Sequence, residues 1–448
     1  MFANRASKPV NAAPDQSGAS PRRRWLRVLL VLCALPFVLL ALLWLVVWIA
    51  LPPERVVPLV LARIGAAMNL EISAQGDPSS HLGQHPTFVV RNVVAREPGT
   101  ATPLLQARRI LVALPWSTIR SLGDTLDLVR IELDAPVLDV PALQHWLASR
   151  PPSETRLPTL QDGLQVRAGR VDGDGWRIEA LALSIPRLHP DQPLHAQAQG
   201  RYADATLQAP FDLAATLARP TSGRGFGLAG RVAPERDDWR LPAWITLSGA
   251  LHWTDAIALL PAKFGASARY VSGATDVPFA IGLHGPLRSR DDAWTLVPAN
   301  LALRGGGLVP TFDARGRLAY GRRLLAEFDG RIAQWPAAWP ALPPPLGTSR
   351  EPLSVSLAYA GAASFTDPLQ LRVARDDPVS STGQALRFDG HLDVPALAAW
   401  ASSDARDSPL PPLTGRLEAP RIEVSGARLE GVVVEFEDSP DEADAPAP

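Results

Sequence analysis

The chain has 448 residues, a formal net charge of -1 and a single cysteine, Cys33. Its length exceeds what one ordinary hydrophobic core organises, which points to several domains or an elongated repeat structure. The balanced charge excludes the basic stripe of a nucleic-acid binder, and one cysteine excludes a disulfide within the chain.

Charge is nevertheless sorted by position. Residues 1–27 carry six positive side chains against Asp15, net +5, and the stretch from Glu435 carries six acids and no base. Subtracting both from -1 leaves zero for residues 28–434.

From the N-terminus, Arg22, Arg23, Arg24 and Arg27 precede an apolar run of 24 residues, 28–51, without a charge. At ~1.5 Å per helical residue such a run reaches about 36 Å and crosses a bilayer core of roughly 30 Å with some tilt. The arginines keep residues 1–27 in the cytoplasm by the positive-inside rule and place the remainder outside. A cleaved signal peptide is the competing reading. The run is longer than a signal core, and cleavage after Ala50 would put the bulky Trp48 where a small residue is needed.

Val56 to Met68 has one apolar side and predicts a short helix. Beyond it the hydrophobic period changes to two. Val129, Ile131 and Leu133 alternate with Arg130, Glu132 and Asp134; Ile245, Leu247 and Leu251 with Thr246, Ser248 and His252; Leu386, Phe388 and Leu392 with Arg387, Asp389 and His391. Such alternation predicts strands with one apolar and one wet face, and with no helical crossovers apparent the sheet is expected to be antiparallel.

Two segments repeat. Leu138-Asp-Val-Pro-Ala-Leu-Gln-His-Trp146 returns as Leu392-Asp-Val-Pro-Ala-Leu-Ala-Ala-Trp400, and a Phe-Asp-Gly unit occurs at Phe328 and at Phe388. The nine-residue unit reads as a strand ended by Pro and followed by a helical turn. Repetition of this kind predicts an elongated stack of sheet units. The expected organisation is a basic stub at 1–27, the span at 28–51, a first β region at 52–150, a repetitive β region at 151–437, and a disordered acidic tail at 438–448.

Signatures of common chemistry are missing: no Gly-x-Ser-x-Gly, Walker loop, His-Glu-x-x-His or Cys-x-x-Cys occurs. Asp172-Gly-Asp174-Gly175 reads as a hairpin turn rather than a calcium loop, and Gly305-Gly-Gly307 as a loop or bulge. Neither enzyme chemistry nor a cofactor is expected. The functional candidates are therefore the apolar strand faces at Val129, Ile131, Leu133, Ile245, Leu247, Leu251, Leu386, Phe388 and Leu392. They would form either a groove for acyl chains or one side of a packed sandwich core.

A basic stub, one span and a short helix are followed here by Phe88-Val-Val-Arg-Asn-Val-Val94, by Leu104 to Val112, by Leu114-Pro-Trp-Ser-Thr-Ile-Arg-Ser-Leu122 and by Val129 to Leu138. This order resembles the start of an AsmA-family protein, and Leu413 to Val434 is similar to that family's later strand-turn-strand segments. The resemblance implies an inner-membrane anchor in a Gram-negative cell with a curved periplasmic β-sheet related to bridge-like lipid-transfer proteins. It further implies contact with phospholipid acyl chains and with envelope protein partners, and a role in phospholipid transport or outer-membrane assembly. An alternative resemblance is to the N component of type II secretion systems, which pairs one span with a β-rich periplasmic part, and an envelope scaffold is the other alternative.

Overall fold

A computed structural model describes Gly65 and residues 69–436, apart from short internal stretches of which 121–126, 150–158, 337–351, 377–383 and 397–412 are the longest. Arg22, Arg23, Arg24, Arg27, the apolar run 28–51, nearly all of the predicted helix at 56–68 and the acidic tail lie outside the described residues. Among the described residues no helix is long and apolar enough to cross a membrane. The chain divides into Met1–Arg63 and Ile64–Pro448, and the second unit holds every described strand and helix.

That unit is mainly β. Its first part contains β1 (Glu71–Ala74), β2 (Ser79–His81), β3 (Thr87–Arg96), β4 (Pro103–Ala113), α1 (Trp116–Arg120), β5 (Asp127–Leu128), β6 (Arg130–Asp139) and α2 (Val140–Ala148). Next come β7 (Thr159–Leu160), β8 (Leu164–Asp172), β9 (Trp176–Ile185), β10 (Leu194–Asp204), β11 (Gln208–Arg219), β12 (Arg224–Val232), β13 (Glu235–Arg236), β14 (Trp239–Arg240), β15 (Ala243–Gly249) and β16 (Leu251–Trp253). The last part has β17 (Ile257–Ser272), β18 (Thr275–Arg290), β19 (Ala293–Gly305), β20 (Phe312–Tyr320), β21 (Leu324–Ile332), β22 (Leu353–Gly361), β23 (Leu369–Asp376), β24 (Gln384–Leu392), β25 (Leu413–Val424) and β26 (Ala427–Phe436).

All strands but β5 and β7 belong to one 24-stranded sheet. β1 and β2 pair side by side with β3, which pairs with β4, and β4 with β6. From β8 the order follows the sequence through β9, β10, β11, β12, β15 and β17 to β26, with β13, β14 and β16 as short flanking pieces. Short turns join many neighbours, among them β10 to β11, β17 to β18 and β20 to β21, and such connections give antiparallel pairs. The Asp172 to Gly175 segment is such a turn, with the Gly173 N–H donating to the Trp176 carbonyl at 2.8 Å and Gly175 at φ 75°.

The expectation of a wholly antiparallel sheet needs correction. β6 and β8 are parallel, Ile131 standing beside Leu164 and Asp139 beside Asp172, and the two-residue pair β5–β7 is parallel as well. The cause is α2, which continues directly from β6 and supplies the crossover that a parallel pair requires. Asp139 caps this helix, accepting from the Ala142 N–H at 2.8 Å, and Trp146 is buried. In the second copy of the repeat Asp393 accepts from the Ala396 N–H at 2.9 Å. The two nine-residue segments thus share the contact from the Asp carboxylate to the N–H three residues on.

Strict alternation fails along one transverse line, where Asn92, Ala135, Ala168 and Ala180 adopt φ of 46°, 47°, 50° and 50° in β3, β6, β8 and β9. Each interrupts the alternation by one residue, so in β6 the apolar side chains Ile131 and Leu133 are followed by Pro136 and Leu138 on the same side. The register against a neighbouring strand shifts at Ala168 and Ala180 and is kept across Asn92 and Ala135. A second line of register shifts crosses β17, β18 and β19 between Leu259 and Ala262 and between Leu296 and Ala299. Bulges in adjacent strands bend and twist a sheet locally. Here they also keep the apolar side chains on one face along strands as long as 16 residues.

Candidate functional site

Following backbone partners from strand to strand shows how that face is built. One rung starts at Val90 and runs through Ile110, Leu133, Val166, Leu183, Ala198 and Leu213 to Gly230. It continues through Ile245, Ala266, Ile281, Leu303, Phe312 and Ile332 to Leu353. Fifteen strands contribute one residue each to this rung, and none is polar. A neighbouring rung runs from Ala196 through Ala215, Leu228, Leu247, Phe264, Leu283 and Leu301, then through Ala314, Gly330, Val355, Val373, Phe388 and Leu417 to Val434.

The opposite face is wet. The residues one step along from the second rung are His195, Thr216, Gly227, Ser248, Lys263, His284 and Asn300, then Arg315, Asp329, Ser356, Arg372, Asp389, Arg416 and Glu435. Apart from Ser356, the charges in the second half alternate in sign. Arg372 and Arg387 both donate to Asp389, and with Arg372 as the larger influence they hold this carboxylate below the usual range despite partial burial. Arg317 does the same for Glu327 across β20 and β21, at 2.5 and 2.8 Å.

Most candidates drawn from the sequence fall on the apolar face. Leu133 and Ile245 share the first rung, Leu247 and Phe388 the second. Ile131 pairs with Val112 and Leu164. Leu251 opens a third rung through Leu259, Leu287, Leu296, Leu318 and Ala326 to Tyr359. Leu392 stands between Leu369 and Leu413, and Leu386 opposite Arg375. Val129 is placed differently. It lies just before β6, 2% exposed, its N–H donating to the Ala113 carbonyl at 2.9 Å, so it is packing at a strand end rather than part of a rung.

Burial is graded along the face. In β10, β11 and β15 the apolar-face side chains are half-buried, apart from the buried Leu217, and alternate with exposed ones. Across β17 to β24 they close into a contiguous cluster in which Leu259, Leu296, Phe312, Phe328, Leu353 and Leu386 are buried, with Trp335 packed against it. Phenyl rings and glycines fit together there. A Cβ on Gly390 would come within 2.6 Å of Phe388 Cζ, and one on Gly415 within 2.9 Å of the same atom. The Phe-Asp-Gly unit at Phe388 therefore gives the face a ring, the wet side a carboxylate, and the ring a place to lie. In the unit at Phe328 the glycine instead makes room for the ring of Phe312, a Cβ on Gly330 coming within 2.7 Å of its Cε2.

Sequence reasoning missed two charged positions. Glu132 is buried on the polar side, held by Arg130 at 2.5 Å and Arg109 at 3.5 Å; Arg109 also donates to Asp134 at 2.8 Å. Arg375 faces the apolar side, 5% exposed, and burial pushes its guanidinium below the ordinary value. Its place is visible only from the pairing with Leu386, since Arg375 continues the alternation Leu371, Val373 where a hydrophobic residue is expected.

Among the described residues no group of three or more His, Cys, Asp or Glu could hold a metal ion. Two depressions lie mostly on the polar face. One of about 850 Å³ is bordered by Lys263, His284, Asn300, Arg315 and Asp329, and one of about 400 Å³ by Pro261, Pro286, Pro298 and Arg288.

No known protein family, curated protein or solved structure matches the chain.

Proposed function

We propose that the chain is a non-enzymatic, inner-membrane-anchored periplasmic protein that binds phospholipid acyl chains along its apolar sheet face and serves phospholipid transport or outer-membrane assembly. The observation that carries this reading is the unbroken first rung from Val90 to Leu353. Fifteen strands spaced about 4.8 Å apart extend roughly 70 Å along the sheet, several times the ~15 Å of one acyl chain in half of a 30 Å bilayer core. The mostly half-buried part of this stripe, from Val90 to Leu303, suits extended hydrocarbon, because water around it costs about 25 cal/mol for each Å² left uncovered, whereas Phe312, Ile332 and Leu353 at its end are already buried within the protein.

The gradation of burial fits a groove that is more open around β10, β11 and β15 and narrower from β17 onward. Among the described residues the terminal strands β1, β2 and β26 do not pair with one another, so the sheet is not closed into a barrel. The AsmA-like order of elements and the arginine-flanked run at 28–51 support the anchoring and the compartment. The direct test is lipid analysis of the full chain extracted in mild detergent. Bound phospholipid is expected, reduced by an acidic substitution at Leu247 that leaves the fold intact. Lipid-free protein would end this reading, and co-purification with secretion components instead would favour a secretion-apparatus role.

A further inference from the structure

One long rim of the sheet differs from the other. Resting on the acyl-chain reading, we propose that the rim formed by the ends of β17 to β21 contacts a lipid bilayer at the level of its headgroups, and that acyl chains reach the apolar face there. At this rim Ile257, Trp294, Tyr320 and Leu325 are 48%, 37%, 50% and 46% exposed. Trp294 pairs with Tyr320 and Tyr320 with Leu324, beyond the third apolar rung through Leu296, Leu318 and Ala326. Leu325 projects from the polar side, so the apolar character belongs to the rim itself as well as to the groove.

Cations accompany these side chains. Arg288 and Arg290 lie at the end of β18, and Arg322 and Arg323 occupy the turn between β20 and β21, all four exposed. Arg323 donates to the Ala360 carbonyl at 2.8 Å, which fixes its stem along the rim. By sequence the adjoining connections also hold Asp255, Asp291 and Asp292, so the net charge is small and the fit is to the interface rather than to a strongly anionic surface. Trp and Tyr favour that layer because one part of the ring system is apolar and the other hydrogen-bonds to water, and Arg adds bidentate contacts to phosphate.

The opposite strand ends also carry aromatics, which pack on one another, and Tyr202 among them lies within electrostatic reach of Tyr320. Trp176 stacks on Tyr202 with ring centroids 6.1 Å apart, and Trp239 lies 6.2 Å from Tyr270 with the Arg236 guanidinium 5.9 Å from its ring. All four rings are half-buried. Trp244 is also 51% exposed, near the opposite strand ends but on the polar face. What sets the first rim apart is that its exposed Trp294 and Tyr320 are cross-strand partners bordering the third apolar rung.

The test uses the full chain with Cys33→Ser and a single introduced cysteine, either Leu325→Cys at this rim or Ala274→Cys in the turn at the other, each carrying an environment-sensitive fluorophore. Proteoliposomes of phosphatidylethanolamine and phosphatidylglycerol hold spin-labelled quencher lipid either in the anchoring bilayer or in added vesicles. At least twofold stronger quenching at 325 than at 274 is expected in one of the two arrangements; equal quenching or none in both overturns the proposal. In parallel, Tyr320→Asp combined with Leu325→Asp changes only exposed side chains. It should slow lipid uptake from vesicles about fivefold or more while bound lipid at saturation is unchanged, and an unaltered uptake rate also overturns it. Lipid-loaded protein with an unquenched rim would refute the rim alone, whereas a quenched rim on protein that never carries lipid would refute the groove.

Discussion

Leu247 stands directly across from Phe264, and that one pairing is a link in a rung that reaches from Ala196 to Val434. Each step is an ordinary cross-strand contact worth a few tenths of a kcal/mol up to about 1. The continuity matters more than any single link, because one charged residue would interrupt a path for hydrocarbon without breaking the backbone ladder beneath it.

Substitutions on the apolar face should therefore separate into two classes according to burial. Leu247→Asp, at a half-buried site, is expected to lower bound lipid severalfold with near-normal denaturant unfolding. Phe388→Asp, at a buried site beside Gly390 and Gly415, is expected to destabilise by at least the ~3–5 kcal/mol typical of emptying a phenylalanine site. Urea unfolding and lipid quantification on the same samples distinguish the two, and equal destabilisation by both would count against the gradation.

The shared carboxylate contact makes a second prediction. Asp139→Ala removes the acceptor for the Ala142 N–H and should cost about 1 kcal/mol, read as faster amide exchange through α2. Asp393→Ala should act the same way at Ala396. Exchange unchanged in both would mean that the Pro and Trp of the repeat, rather than the carboxylate, fix the helix start.

Asp204 gives the turn between β10 and β11 a pH dependence. Burial alone would raise this carboxylate, but the Thr206 and Leu207 N–H groups at 2.8 and 2.9 Å and the Tyr202 hydroxyl at 3.1 Å outweigh it and lower its pKa. A lowered folded-state value stabilises the fold above the unfolded pKa of about 3.9, and that stabilisation is lost as pH falls through the folded value. Exchange of the turn amides, corrected for intrinsic rates, should rise below about pH 4, and Asp204→Asn should remove that rise.

The polar face supplies a control. Arg372→Glu sets like charges beside Asp389, yet both side chains are substantially exposed, so the expected loss of stability is about 1 kcal/mol or less. Bound lipid should stay at the level of the unaltered chain. A loss comparable to that of Leu247→Asp would mean that fold integrity, rather than the apolar face, controls carriage.

The alternating strands at Ile245, Leu247, Leu386 and Phe388 were legible because large aliphatic and aromatic residues contrast sharply with their polar neighbours. Ala196, Ala198 and Gly200 lie on the same face and carry almost no hydropathy signal, so their strand is recognised only through pairing with β9 and β11. The parallel pair β6–β8 escaped because its crossover is one short helix, itself visible in the Pro-Ala-Leu repeat. Bulges hid the phase. After Asn92, Ala135 and Ala168 the alternation restarts one residue late, which a fixed period of two reads as noise in the pattern. The strands rich in large aliphatic and aromatic residues were therefore readable in the sequence, while the Ala- and Gly-rich β10 and the side to which Arg375 and Glu132 point required the register.

The most direct measurement is native mass spectrometry of the full chain released from mild detergent, compared with its Leu247→Asp variant. The expected spectrum shows the unaltered chain with one or more phospholipid masses attached and the variant with markedly fewer, at matching unfolding midpoints. A bare polypeptide mass for the unaltered chain, or identical lipid loading in the two proteins, would contradict the account.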